Sequence, residues 1–179
     1  IESKDLLENI DRSALAKSLL PVYYECYNAF CSHYGQSNNN NLYYTRSELY
    51  RDSLLTVLDS GSLNHQIVHA TKILYKGKRK QAESALLTLL NKTTDKNTER
   101  AEIAYLLGRM YMDEGNKELQ KKYYAISAIS DVENSIKDNA SLQSLALTFY
   151  KEGDIDQAFR FIEAAINDAL FCNVRYRTV

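Results

Sequence analysis

From Leu63 onward, apolar residues recur at spacings of three and four, which places them on one face of a helix with a 3.6-residue period. The pattern predicts helices at residues 63–76, 79–92, 97–114, 117–134, 139–152 and 155–170, joined in places by the polar connectors NKTTDKN (91–97) and SIKDN (135–139). Gly77, Gly115 and Gly153 recur every 38 residues, each time between two such helices. A turn glycine at a fixed interval between apolar helical faces is the signature of a helical repeat array. No alternating pattern competes with these helices, so the expected fold is all-α.

The first 62 residues fit the same scheme less regularly. Leu6, Leu7, Ile10 and Leu15 predict a short helix within residues 1–18. Pro21 disfavours helical geometry at Leu20 but suits the first turn of a new helix. That helix carries Tyr23, Tyr24, Tyr27, Phe30 and Tyr34 and is expected to stop at Gly35, before a loop GQSNNNN (35–41). Asparagine tolerates left-handed geometry and caps helices, so this loop can end one helix and start the next. The following helix, at about residues 42–58, carries Leu42, Leu49, Leu54, Leu55 and Leu58 and closes on Asp59, Ser60, Gly61 and Ser62. Residues 1–62 therefore read as divergent N-terminal helices and a first helix pair. Residues 63–179 read as three regular pairs of 38-residue period plus the start of a further helix at Arg177, the whole forming one continuous array.

The unit opening at Asn139 sets Leu142, Leu145, Ala146 and Phe149 at the packing positions of its first helix, and Ala158, Ile162 and Ala165 at those of its second. Small residues at Ala146 and Ala158 allow the two helices to approach closely. The unit from Ala101 supplies Leu107, Gly108, Tyr111, Gly115 and Tyr124, departing at Gln120 and Ser127. The unit from Leu63 supplies Ala70, Ile73, Gly77, Ala82 and Leu86, with His69 at a packing position. These units resemble the tetratricopeptide repeat (TPR). The resemblance implies helix pairs stacked as a right-handed superhelix. The 38-residue interval exceeds the family's usual period of about 34, so the second helix of each pair is expected to be long, most visibly in KKYYAISAISDVEN.

A second resemblance lies in YYAISAISDVENSIKDNASLQSLALTFYKEGDIDQAFRFIEAAINDALFCNVRYRT. This run is similar to the TPR region of membrane-anchored transcriptional regulators of anaerobic gut bacteria. In that family an export signal precedes the repeats, and a membrane helix and a regulatory segment follow them. The resemblance implies an extracytoplasmic, periplasmic sensor domain with a signalling role, with a cytoplasmic location as the alternative. The chain stops at Val179, at the opening of a further unit, which leads to the expectation that it was cut from a longer protein.

Composition narrows the function. With 45% hydrophobic and 25% charged residues the chain matches a folded soluble domain. A net charge of −1 provides no field to attract nucleic acid or an anionic membrane, and no apolar run approaches the roughly 20 residues needed to span a bilayer. No nucleic acid and no membrane are therefore expected as partners of these residues, although the parent protein can be anchored. The 14 tyrosines suit helix seams, where the ring packs and the hydroxyl reaches an edge. Cys26, Cys31 and Cys172 lack metal-ligand spacing, and Cys26 and Cys31 point apart on a helix, so buried free thiols are expected.

Candidate chemistry is sparse. HQIVH (65–69) sets His65 and His69 on one face but has Gln66 where a zinc protease needs a glutamate. A structural role is expected for both histidines, with a small-ligand or metal site as the alternative. The basic turn KGKRK around Gly77 has no accompanying nucleic-acid-reading element. No phosphate loop, nucleophile elbow or Cys/His pairing occurs, so neither an enzyme nor a cofactor is expected. The TPR resemblance implies that the first helix of each pair lines a concave groove for a protein or peptide. It assigns Asn64, Ile67, Thr71, Leu74 and Tyr75 to that groove from one unit, Glu102, Tyr105, Arg109, Met112 and Asp113 from the next, and Gln143, Leu147, Tyr150 and Lys151 from the last. The lysine and asparagine clamp by which some cochaperone repeats hold a peptide carboxylate is missing. A passive assembly scaffold and a homodimer are the other expectations.

Overall fold

A computed structural model describes residues 2–171; Cys172 and the helix start expected at Arg177 lie outside them. The described residues form α1 (Glu2–Glu8), α2 (Leu20–Asn38), α3 (Asn41–Val57), α4 (Leu63–Tyr75), α5 (Arg79–Lys92), α6 (Glu99–Glu114), α7 (Lys117–Glu133), α8 (Ala140–Glu152) and α9 (Ile155–Phe171). No strand occurs among them, and the fold is an all-α helical repeat. The chain divides into two compact units, Ile1–Lys78 and Arg79–Val179.

In the first unit α2 packs along α3 and α3 along α4. Tyrosines form the α2/α3 seam: Tyr27 stacks on Tyr50 at 4.6 Å and Tyr34 lies 4.4 Å from Tyr43. Asn28 donates to the Ser47 carbonyl at 2.7 Å. The short helix expected within residues 1–18 is α1, which ends at Glu8; beyond it Asp11 accepts from the Ser13 amide and hydroxyl and turns the chain into short 3-10 segments. The expected end of α2 needs correction. Gly35 does not end α2. It is buried within the helix, where a Cβ would stand 3.3 Å from the Tyr44 amide nitrogen, so glycine serves there as a point of close approach. The loop shrinks to Asn39, left-handed at φ 48°, and Asn40, whose side chain caps α3 by accepting from the Leu42 amide at 3.1 Å. Of the thiols expected to be buried, Cys31 is, whereas Cys26 is exposed.

The second unit holds α5 to α9, with α5 on α6, α6 on α7, α7 on α8 and α8 on α9. Its turns repeat in register. Gly115 and Gly153 adopt φ of 73° and 85°, and in each case the next amide bonds back to the carbonyl five residues earlier, Asn116 to Tyr111 and Asp154 to Phe149, both at 3.0 Å. This closure satisfies carbonyls that the helix end leaves unpaired and requires the left-handed residue that glycine supplies without strain. The expected lengthening of second helices is seen in α7 and α9, at 17 residues each, and not in α5, at 14.

Gly108 is a point of close contact between α6 and α7. A Cβ there would lie 2.6 Å from Cδ1 of Tyr124, whose ring is 1% exposed and forms a core with Ala128 and Leu145. Gln120 and Ser127, which depart from the TPR pattern, are both buried and both bonded across to α8, to Thr148 at 2.8 Å and Ser141 at 2.6 Å. Gly108→Ala is expected to destabilise the protein by about 1–3 kcal/mol through overpacking against this ring. Urea unfolding followed by circular dichroism reads the loss directly.

Candidate functional site

The residues nominated for a groove fall on both units. On α4, Asn64 and Tyr75 are exposed, Thr71 and Leu74 are half-buried, and Ile67 is 1% exposed. Ile67 is therefore enclosed in the protein and not open to a ligand. Tyr75 is the face of a cation–π contact from Arg51, 4.3 Å from its centroid, and Arg51 also pairs with Glu48. His69 is exposed, not packed, and lies parallel to His65 at 6.4 Å. No group of three or more His, Cys, Asp or Glu side chains able to hold a metal occurs among the described residues.

In the second unit, Glu102, Arg109, Met112 and Asp113 on α6 and Leu147, Tyr150 and Lys151 on α8 are exposed. Tyr105 and Gln143 are half-buried, and Tyr105 packs at 5.5 Å against Tyr124. Two pockets lie among these residues. One, of about 360 Å³, is apolar and is lined by Gln143, Ala146, Leu147, Tyr150, Ala158 and Phe159, together with Ile155 and Ile162. Sequence reasoning set Ile162 at a packing position, but it remains 36% exposed and Phe159 is 62% exposed. The other pocket, of about 240 Å³, has mixed walls and lies where α6, α7 and α8 meet: Ala101, Ile136 and Ala140 give it apolar surface, and Glu102, Tyr105, Ser127, Asp131, Asp138 and Ser141 bring polar groups to it.

The family described as SusR N-terminal TPR domain matches residues 1–179. The chain belongs to that family. No curated protein matches it. TPR domains are protein-interaction modules, and no helix among the described residues of this TPR domain is long and apolar enough to cross a membrane.

The 38-residue register lets the junctions of this TPR domain be compared position by position. Where α5 meets α6, Tyr111 donates to Glu83 and its hydroxyl is held well above the usual range, first by burial and then by that carboxylate. Where α7 meets α8, the equivalent positions are Phe149 and Lys121, with the ammonium 5.7 Å from the ring centroid and 3.2 Å from Glu152. Buried polar residues distinguish the second junction. Ser127, Asp131 and Ser141 occupy the positions that Leu89, Thr93 and Ile103 hold in the first.

Asp131 is the anomaly among them. It is 7% exposed, its carboxylate has no hydrogen-bond or ion-pair partner among the described residues, and its pKa is raised to about 7, chiefly by burial and then by Asp138. A carboxyl whose pKa is higher folded than unfolded loses stability on ionising, so stability should fall as pH rises from about 4 to 7 and level off above that. Asp131→Asn removes the penalty. Its melting temperature should exceed that of the parent at pH 8, by an amount equivalent to about 1–3 kcal/mol, and match it near pH 4. Scanning calorimetry at the two pH values checks the sign.

Proposed function

We propose that this TPR domain is the extracytoplasmic sensing region of a membrane-anchored transcriptional regulator, and that it binds a protein or peptide segment along the first-helix faces of α6 and α8. The observation that carries the reading is that Arg109 and Met112 on α6 and Leu147 and Tyr150 on α8 are all exposed, the last two lining an apolar pocket of about 360 Å³. Side chains of this kind, aromatic and aliphatic with isolated charges between them, suit an extended peptide or a partner helix whose anchors alternate in polarity. The family description supports the regulatory part of the reading, since it names the N-terminal domain of SusR. Binding at this face would bias how α6 and α8 pack and so act on whatever follows the repeats.

The reading is tested with an immobilised peptide library probed by the isolated chain, followed by titration of the best binders. Arg109→Ala and Tyr150→Ala should each weaken a true groove ligand at least tenfold without lowering the melting temperature, because both side chains are exposed. Tyr105 is unsuitable for this test, because its ring packs on Tyr124 and truncation would disturb the core. Unchanged affinity in both variants would place recognition elsewhere. Topology mapping of the full-length protein addresses the sensing role, and a cytoplasmic location for these repeats would refute it.

A further inference from the structure

The helix end beside the second pocket, at the α6, α7 and α8 junction, has a counterpart one repeat earlier that carries a cation of the chain itself. There Arg100 lays its guanidinium across the C-terminal end of α5. Its Nη1 donates to the Leu90 carbonyl at 3.1 Å and to the Thr93 carbonyl at 3.2 Å, while its Nε lies 3.5 Å from Asp95. Helix C-termini favour cations because their last carbonyls are unpaired and the helix dipole is negative there. Thirty-eight residues on, Asp131 stands at the position of Thr93 and Asp138 at that of Arg100. The junction thus gains a carboxylate, and loses its own cation to a second carboxylate, at the same helix end. What remains is a pocket of about 240 Å³ with Glu102 at its rim.

We propose that this pocket receives the guanidinium of an arginine side chain carried by the segment that binds along α6 and α8. The inference rests on the peptide-binding reading and adds the identity of one anchor. Asp131 is the principal partner, since it is buried, lines the pocket and has no internal counter-charge. A guanidinium matches a carboxylate with two parallel N–H donors, which an ammonium cannot reproduce. Ser127 and Ser141, bonded to each other at 2.6 Å, provide hydroxyl acceptors on the α7 and α8 walls. Asp138 also accepts from the Ala140 amide at 3.1 Å, so it caps α8 and lends its charge without moving.

Ionisation governs the site. The groups facing Asp131 are Glu102 and Tyr105 from α6 and Asp138 from the connector, while α8 contributes only the uncharged Ser141. Burial first, and then the Asp138 carboxylate, oppose ionisation of Asp131 in the free protein, and an entering cation relieves that opposition. Affinity should therefore rise between pH 6 and pH 8.

The test is titration of the ¹⁵N-labelled chain with the peptide acetyl-Ala-Arg-Ala-amide and with its citrulline counterpart, which keeps the shape and hydrogen-bonding head but not the charge. The arginine peptide should shift the Ser127, Asp131 and Ser141 amides, bind at least tenfold more tightly than the citrulline peptide and strengthen with pH. Asp131→Asn, which is expected to be the more stable protein at pH 8, should lose that discrimination, so the loss cannot be ascribed to unfolding. Equal shifts from both peptides along Arg109, Leu147 and Tyr150 would overturn the pocket while leaving the groove reading intact. Shifts from neither peptide, or discrimination that survives Asp131→Asn, would also overturn it.

Discussion

The second unit is organised around one ring held against one α-carbon. Tyr124 occupies the space that any side chain at Gly108 would need, and this fixes how closely α7 approaches α6. The same ring builds a core with Leu145 and Ala128, against which Phe149 and Phe161 pack, so a single side chain sets the spacing of α6, α7 and α8 and reaches toward α9. Interiors packed to crystal density transmit such a constraint with little slack. The exposed residues of α6 and α8 inherit their mutual placement from it. The phenol itself is pushed up to about 12, mainly by burial, so it stays neutral and the core carries no charge.

Against that rigid contact, the polar residues beside it are a departure. The first junction seals the corresponding positions with Leu89 and Ile103 and satisfies Thr93 through its own hydroxyl bond to Leu90 at 2.8 Å and through Arg100. The second replaces these with Ser127, Ser141 and an unpaired Asp131. A largely buried carboxylate without a counter-charge costs stability, and such groups are concentrated at functional sites. The local packing and the raised pKa of Asp131 thus point the same way, from energetics toward binding.

Much of the fold was legible in the sequence for identifiable reasons. Gly115 and Gly153 occupy turns that need positive φ, and a regular interval exposed them. Gly108 and Tyr124 were both placed at TPR positions by the sequence, whereas their contact with each other is read from the structure. Gly35 misled because a glycine that ends a helix and one that admits a neighbouring helix look alike in sequence; its α2 runs on to Asn38. Ile67 misled because the register assigns a helix face but not how deeply a residue on it is enclosed, and Ile67 is buried. Asp131 escaped notice because an acid near a polar connector is usually solvated. The available signal was its alignment, one repeat on, with Thr93.

The central claim is that the α7/α8 junction gives up stability for a binding pocket. The most direct measurement is the urea unfolding midpoint of a triple variant, Ser127→Leu, Asp131→Thr and Ser141→Ile, which gives this junction the residues of the preceding one. The account predicts a higher midpoint than the parent, with cooperative unfolding retained. A lower midpoint would mean that the polar residues stabilise the junction, and would contradict the account.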